Sequence, residues 1–440
     1  MRKNVKILKL KIKSKINITL KIYSQFRNII LLKLIIVQGK GMLTMKTKKI
    51  VTIITSLIVS ATLSSTFAVF NHCNNEVQKV FGMCDSEQSI EVKNELKPKR
   101  QLINGPCWAF SAIAALEAYL VKHNMYTGSL SEKALLNWAH RSDGVGWNVS
   151  IKNGASRQVS DAYFTSGAGP VSETEVPYNI NDAFYDQNSR ATPLFSVRGL
   201  KKVDSNVESI KEAVSKFGGV TVGYDVSKNS SHGVCIIGWD DKHKQWIVKD
   251  SSADSGYSKL PYTTKLFSCR AFTDVRKFDK NETIYQHDTF GIVGSFENTR
   301  GITYANAFDF KSGETLDSVM MYSDSVGADY NIYYLPVLED GTLNSSKSSW
   351  THLKSGKVPF NGYFTAELNN KLHVAGKGAI AVEISPCNGK KASLGFSKSN
   401  DKGLTVPAEK GKSFSYSGSK GFVDQGREGM MCAIKAITKK

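Results

Sequence analysis

The sequence predicts an α+β protein: a two-lobed unit, helical first and β-rich second, followed by an all-β sandwich. Three observations predict this. Apolar residues recur at helical spacing from residue 101 to about 165. Short β-type runs parted by turns follow, to about residue 275. After a charged stretch, alternating strands and polar Gly/Ser loops fill Phe290 to Lys440. A chain of 440 residues, 41% apolar, has room for two or three domains with sizeable cores.

The N-terminus is read separately. Residues 1–49 hold 14 Lys/Arg and no acid, which leaves only +5 of the total +19 for the rest of the chain. That mild balance speaks against a nucleic-acid partner for the folded part. Residues 1–44 are expected to be a non-native upstream extension. They are rich in the Lys, Ile, Leu and Asn of AT-rich codons, and the codons for Gly39–Gly41 resemble a ribosome-binding site shortly before Met45. The other reading is a basic membrane-surface helix. Residues 45–68 read as a signal peptide: Lys46, Lys48 and Lys49, then "IVTIITSLIV", then small residues to Ala68. The apolar run is too short for a stable membrane span. Export is therefore expected, secreted or extracellular, with cell-surface association as the variant. Residues 69–94 read as a short leader. Lys97–Arg100 ("KPKR") reads as a processing site or a solvated charge cluster.

The first unit is assigned residues 95–276. "CWAFSAIAALEAYLVKHN" is buried-helix material, "SLSEKALLNWAHR" has Ser129 or Ser131 as its cap, and "SRQVSDAYFTSG" ends in the C-cap glycine Gly167. "GVTVGYDV", "HGVCIIGWD", "KQWIVKDSS" and "YSKLPYT" are its strands. In the second unit "ITYANAFDF", "DSVMMYSD", "DYNIYYLPV" and "GAIAVEIS" are strands. Seven cysteines (Cys73, Cys84, Cys107, Cys235, Cys269, Cys387, Cys432) leave one thiol over and allow up to three bridges. Neither CxxC nor HExxH occurs, so no metal site of those types is signalled.

Cys107 stands where a helix should begin, after "NGP". A helix N-terminus and a nearby imidazolium both lower a thiol pKa, and the thiolate is the nucleophile. Such a site needs a base, an orienting group and an oxyanion donor. By itself, a cysteine at a helix start is more often a structural core residue.

The string around it bears on that choice. Gln101, five intervening residues, then Cys107–Trp108–Ala109–Phe110–Ser111 resembles the signature of papain-like cysteine peptidases. The resemblance implies that Cys107 is the nucleophile and that Gln101 donates to the oxyanion. "SHGVCIIGWDD" resembles the family's histidine strand, which implies His232 as the base. Cys235 on that strand reads as buried filler. "WIVKDSSADSGY" stands where the family has W-x-[IV]-K-N-S-W-G. Asp250 then takes the orienting Asn's place, and Ser252 replaces a shielding Trp, which implies a more exposed pair. Asn104 replaces a family cysteine, and "LSEKALLNW" also lacks one, so both halves of one family disulfide are missing together. The resemblance further implies substrate contacts from Trp108, from Gly154 and Ala155 ("GAS"), and from Pro170 and Val171 ("GPVSETEVPY").

Residues 284–438 resemble the lectin-like β-domain of clostridial surface and secreted papain-type peptidases, from "ETIYQHDTFG" onward. Taken together, the resemblances imply a secreted cysteine endopeptidase acting on protein or peptide substrates. They also imply a lectin-like module for cell-wall or surface glycan or protein. The thiol chemistry requires no cofactor. A structural calcium in the β-domain is allowed, with Asp309, Asp317, Asp324 and Asp329 as acidic candidates and no ligands assigned. The rival reading is a catalytically impaired adhesin or binding protein on a papain fold, to which Asp250 and Ser252 lend support.

Overall fold

A computed structural model describes residues 96–140, 144–180, 191–387 and 389–440. The extension, signal peptide, leader, Cys73 and Cys84 lie outside them. Helix α1, Cys107–Lys122, begins where Pro106 and Gly105 (φ +114°) interrupt the backbone, and Trp108 to Leu120 are all buried. No side chain caps its start and no acid sits in its first turn, so its positive end is left for the thiol. Helix α2, Glu132–Ala139, is capped by Ser131, whose Oγ accepts from Ala134 N at 2.9 Å. Helix α3, Arg157–Thr165, is capped by Ser156 and is followed by Gly167 at φ +81°.

The four strands expected in the β-rich lobe form Val220–Ser227, Ser230–Asp240, Gln245–Lys249 and Tyr257–Pro261. Two further elements complete the unit. Phe195–Lys202 pairs antiparallel with Leu266–Lys277 at one side of this sheet. Helix α4, Val207–Phe217, is capped by Asn206 on Ser209 N (2.8 Å) and stopped by Gly218 at φ +88°. It buries one stripe, Ile210, Ala213, Val214 and Phe217.

In the second half, the two strands expected over "ITYANAFDF" and "DSVMMYSD" are one strand, Ile302–Ser323. Register shifts after Phe310 and Leu316 bend it without breaking its pairing to Gly362–Ile384. A three-stranded layer (Gly294–Asn298, Ala392–Ser397, Met431–Cys432) encloses a core with Val319, Met321, Ile380 and Leu394. The charged junction is part of the sheet: Glu282–Tyr285 pairs with Ile434–Lys439. The two halves are joined edge to edge, Gly362 opposite Lys201 and Tyr363 opposite Leu200. Gly146 also pairs with Thr405, and Met320, Tyr322 and Tyr363 pack into the same core as α1.

Two sequence expectations are corrected. Cys107, Cys235, Cys269, Cys387 and Cys432 are all free thiols, so no bridge forms among them. Cys235 and Cys269 are packed in the first core and Cys432 in the second, where they act as small apolar residues. Within "KPKR" Lys97 and Arg100 are exposed, but Lys99 is not part of a solvated cluster. Lys99 Nζ donates to both Glu132 oxygens at 3.0 Å and lies 3.1 Å from Glu117, which also holds Lys249 at 2.7 Å.

Candidate active site

Cys107 is the first residue of α1, and its N–H has no intrahelical acceptor by position. Gly105 brings the preceding loop against its neighbour: a Cβ there would stand 2.3 Å from Ile151 O. Gln101, in the same loop, is buried and held on three sides. Its Oε1 accepts from Ser251 Oγ at 2.8 Å, its Nε2 donates to Ile103 O at 2.9 Å, and its carbonyl accepts from Tyr178 Oη at 2.6 Å. The amide nitrogen has a second hydrogen to donate.

His232 lies near the start of its strand, opposite Tyr224 in register. Its Nε2 meets Asp250 Oδ1 at 2.9 Å. Asp250 follows directly after the neighbouring strand, Gln245–Lys249. The carboxylate is saturated with donors. Ser252 N (2.9 Å) and Ser252 Oγ (2.7 Å) donate to Oδ1, and Ser258 Oγ (2.8 Å) donates to Oδ2. The expected exposure of this pair is corrected. The side chains of Asp250 and His232 are 7% and 12% exposed, because the serine hydroxyls close over the carboxylate.

The electrostatics follow from this geometry. Burial raises the Cys107 thiol pKa, but the His232 hydrogen bond, the Gly233 backbone and the charges of His232 and Arg157 together bring it below its ordinary value. Burial lowers that of His232, but bonds to Asp250 and Cys107 and their negative charges raise it to about 9. Asp250 sits well below the usual carboxylate range: burial opposes this, and the His232, Ser252 and Ser258 donors outweigh it. The arrangement favours imidazolium at neutral pH and shifts the thiol toward thiolate, a titration that belongs to the pair.

Gln101, Cys107, His232 and Asp250 are thus brought together across the two lobes. Gly154 is exposed with open space around it, and Ala155 is half-buried nearby in sequence. The other expected substrate contacts are corrected. Trp108 and Val171 are each 3% exposed and Pro170 is buried. Pro170 O accepts from Leu194 N and Val171 O from Ser131 N, so both belong to the packing of the helical lobe. An open cavity of 510 Å³ beside the site is lined by Gln101, Ile103, Asn104, Lys152, Ser251 and Ser252. The sequence reading passed over Ser251, Ser258 and Arg157. For the serines, the hydroxyl-rich run after Lys249 was the available signal.

In the second half an open cavity of 680 Å³ has Asp309, Lys377, Lys412, Phe422, Asp424 and Arg427 among its walls. The acids proposed for calcium do not form a cage. Asp317 is held by Lys371 and Lys439, Asp324 by Lys202, Asp329 by Lys357, and Asp309 lies opposite Lys377. Among the described residues, no group of three or more His, Cys, Asp or Glu is placed to hold a metal ion. Nor, among them, is any helix long and apolar enough to cross a membrane.

Comparison with known proteins finds two family models along the chain. Residues 88–271 match the papain family cysteine protease model, and residues 284–438 match the lectin like domain model. Cathepsin S of Bos taurus is 30% identical over 182 residues, which are 36% of this chain and 53% of the relative. Cathepsin S of Mus musculus is 26% identical over 185 residues, 37% and 54%. The chain thus spans about half the length of the curated relatives it matches. Among solved structures, the clostridial cysteine protease Cwp84 after propeptide cleavage aligns with a TM-score of 0.73 at 29% identity, over 79% of this chain and 97% of that one. The cysteine protease and lectin-like domains of Cwp84, a surface layer associated protein of Clostridium difficile, align with a TM-score of 0.72 at 29% identity, over 79% and 87%.

Proposed function

The chain carries a papain family cysteine protease domain followed by a lectin like domain, and from that premise we propose that it is a secreted cysteine endopeptidase working through Cys107, His232 and Asp250. The observation that carries the reading is the imidazole of His232 held by the buried carboxylate of Asp250, with the thiol of Cys107 near enough that imidazole and thiol shift each other's pKa. The Cys107 thiolate attacks a peptide carbonyl carbon, and the carbonyl π electrons move to oxygen. The second Nε2 hydrogen of Gln101 and the N–H of Cys107 stabilise that oxyanion, normally a large share of the barrier reduction. The oxyanion collapses, the C–N bond breaks, and the His232 imidazolium gives its proton to the leaving amine. Neutral His232 then takes a proton from water, which hydrolyses the thioester and frees Cys107. Asp250 fixes the imidazole orientation and stabilises its cationic form.

Substrates are proteins or peptides laid along the cleft past Gly154 and Ala155. The lectin-like half is proposed to contact a cell-wall or surface glycan or protein, with the 680 Å³ cavity as the place to look. The similarity to a surface layer associated protease supports an extracellular or cell-surface site of action.

The test uses purified chain under reducing conditions, with casein and a thiol-directed epoxide, beside Cys107→Ala. Cleavage and labelling by the wild type, both lost in the variant, are expected. A wild type that neither cleaves nor labels at Cys107 overturns the reading in favour of a binding protein on a peptidase scaffold. N-terminal sequencing of the secreted form tests export, with a start near Val69 or further downstream expected.

A further inference from the structure

A buried arginine lies under the candidate site and takes no part in the steps above. Arg157 is the first residue of α3 and is 7% exposed. Its Nη1 donates to Trp108 O at 3.0 Å and to Ser111 Oγ, both in α1, the helix that Cys107 begins. Its Nη2 donates to Val222 O at 2.8 Å, in the strand that pairs with the His232 strand. Gly233, the residue after His232, makes room for it: a Cβ there would stand 2.7 Å from Nη2. One guanidinium therefore touches the nucleophile's helix, the strand backing the histidine and the backbone beside the histidine.

A buried cation is costly unless an anion compensates it. Among the described residues no carboxylate lies at ion-pair distance from Arg157. Asp161, one turn along α3, is bonded instead to Arg270 at 3.1 Å. An apolar residue would fill this space at lower cost, and a neutral donor could serve the carbonyls. What a guanidinium adds is a fixed charge and a planar fork that spans two elements.

We propose that Arg157 is a positioning residue for the Cys107–His232 pair, tying the nucleophile's helix to the histidine strand and placing a permanent positive charge beneath the thiolate. This rests on the peptidase reading of the site. The electrostatics agree in both directions. Burial raises the Cys107 pKa, and the Arg157 charge is among the influences that lower it, after the His232 bond, the Gly233 backbone and the His232 charge. Burial pulls Arg157 itself down to about 10, against the favourable charges of Cys107 and Asp161 and together with the unfavourable charge of Arg270, with Cys269 a smaller favourable influence. On the histidine side, Asp250 and Tyr224 complete the titratable groups facing the pair.

The test measures the pH dependence of Cys107 alkylation by iodoacetamide in the full chain, with kcat/KM beside it. The variants are Arg157→Met and Arg157→Lys. Arg157→Met is expected to raise the apparent thiol pKa by about 1, which is about tenfold less thiolate on the acid side of the titration. Arg157→Lys keeps the charge without the fork, so the alkylation pKa should stay near wild type while kcat/KM falls. Should Arg157→Met lose its melting transition, Arg157→Lys carries the test together with Ser111→Ala, which removes one partner and no charge and should leave the alkylation pKa unmoved. A folded Arg157→Met with wild-type alkylation overturns the proposal, as does a folded Arg157→Lys with an alkylation pKa raised well above wild type. An ordinary thiol pKa in the wild type overturns the peptidase reading instead, so the two failures are distinct.

Discussion

Ser252 Oγ stands 3.1 Å from His232 Nε2, the same nitrogen that meets Asp250, and also donates to Asp250 Oδ1 at 2.7 Å. A hydroxyl thus occupies the place where the related peptidase pattern has an indole. It shields the pair by hydrogen bonding where a ring would do so by covering it. A hydrogen bond to a charged group is worth roughly 1.5–3 kcal/mol. Ser252→Ala should therefore lower kcat/KM about tenfold, because three other donors still hold the carboxylate. A steady-state comparison on one peptide checks this, and an unchanged kcat/KM would show that the hydroxyl is a bystander.

The raised pKa of His232, about 9, sets a pH window. Hydrolysis needs the imidazolium as proton donor, so kcat/KM should fall as pH rises through about 9. Alkylation of Cys107 needs only thiolate and should not fall there. Asp250→Asn keeps an acceptor for the imidazole but removes the charge that raises it. Its falling limb should move toward neutral pH with much of the activity kept. Loss of all activity in a folded variant would mean that the charge itself is required.

The same shift is a stability statement. The folded-state value for His232 lies above its ordinary 6.5, so its contribution is fully present below 6.5 and is lost as pH rises to about 9. Denaturant melts should show wild type losing stability over this range relative to His232→Gln. Parallel curves would refute the linkage.

Lys99 is wedged between Glu132 and Glu117 with its side chain 13% exposed. Removing one partner of a buried ionic cluster costs about 3–5 kcal/mol when a charge is left unpaired, here that of Glu132, while Glu117 keeps Lys249. Lys99→Met should lose that much in urea titration. Trypsin should fail to cut after Lys99 in the native chain, and rapid native cleavage there would contradict the buried placement.

Gly362 joins the two halves of the chain at φ +136°, where a Cβ would stand 2.1 Å from Leu200 O. Gly362→Ala should break the ladder to Phe195–Lys202 and cost about 1–3 kcal/mol. Faster amide hydrogen exchange at Leu200 and Tyr363, compared with wild type, reads the loss directly. Exchange equal to wild type at both would rule out a strained join.

Gln101, Cys107, His232 and Asp250 were legible in the sequence through short strings that resemble the papain-like pattern; helix spacing by itself left Cys107 undecided between nucleophile and core residue. The helix start at Cys107 and the strands of the β-rich lobe were legible from local residue patterns, which left the cap of α2 open between Ser129 and Ser131 until the fold placed it at Ser131. Tertiary structure decided what depends on residues far apart in the chain. Trp108, Pro170 and Val171 are buried by neighbours that no local string records. Lys99 is drawn inside by carboxylates 18 and 33 residues away. Arg157 reaches Trp108 across 49 residues and Val222 across 65. Spacing along the chain prescribes what one element presents. Burial and charge compensation arise only where elements meet, which is why the residues supporting the candidate site emerged from the fold.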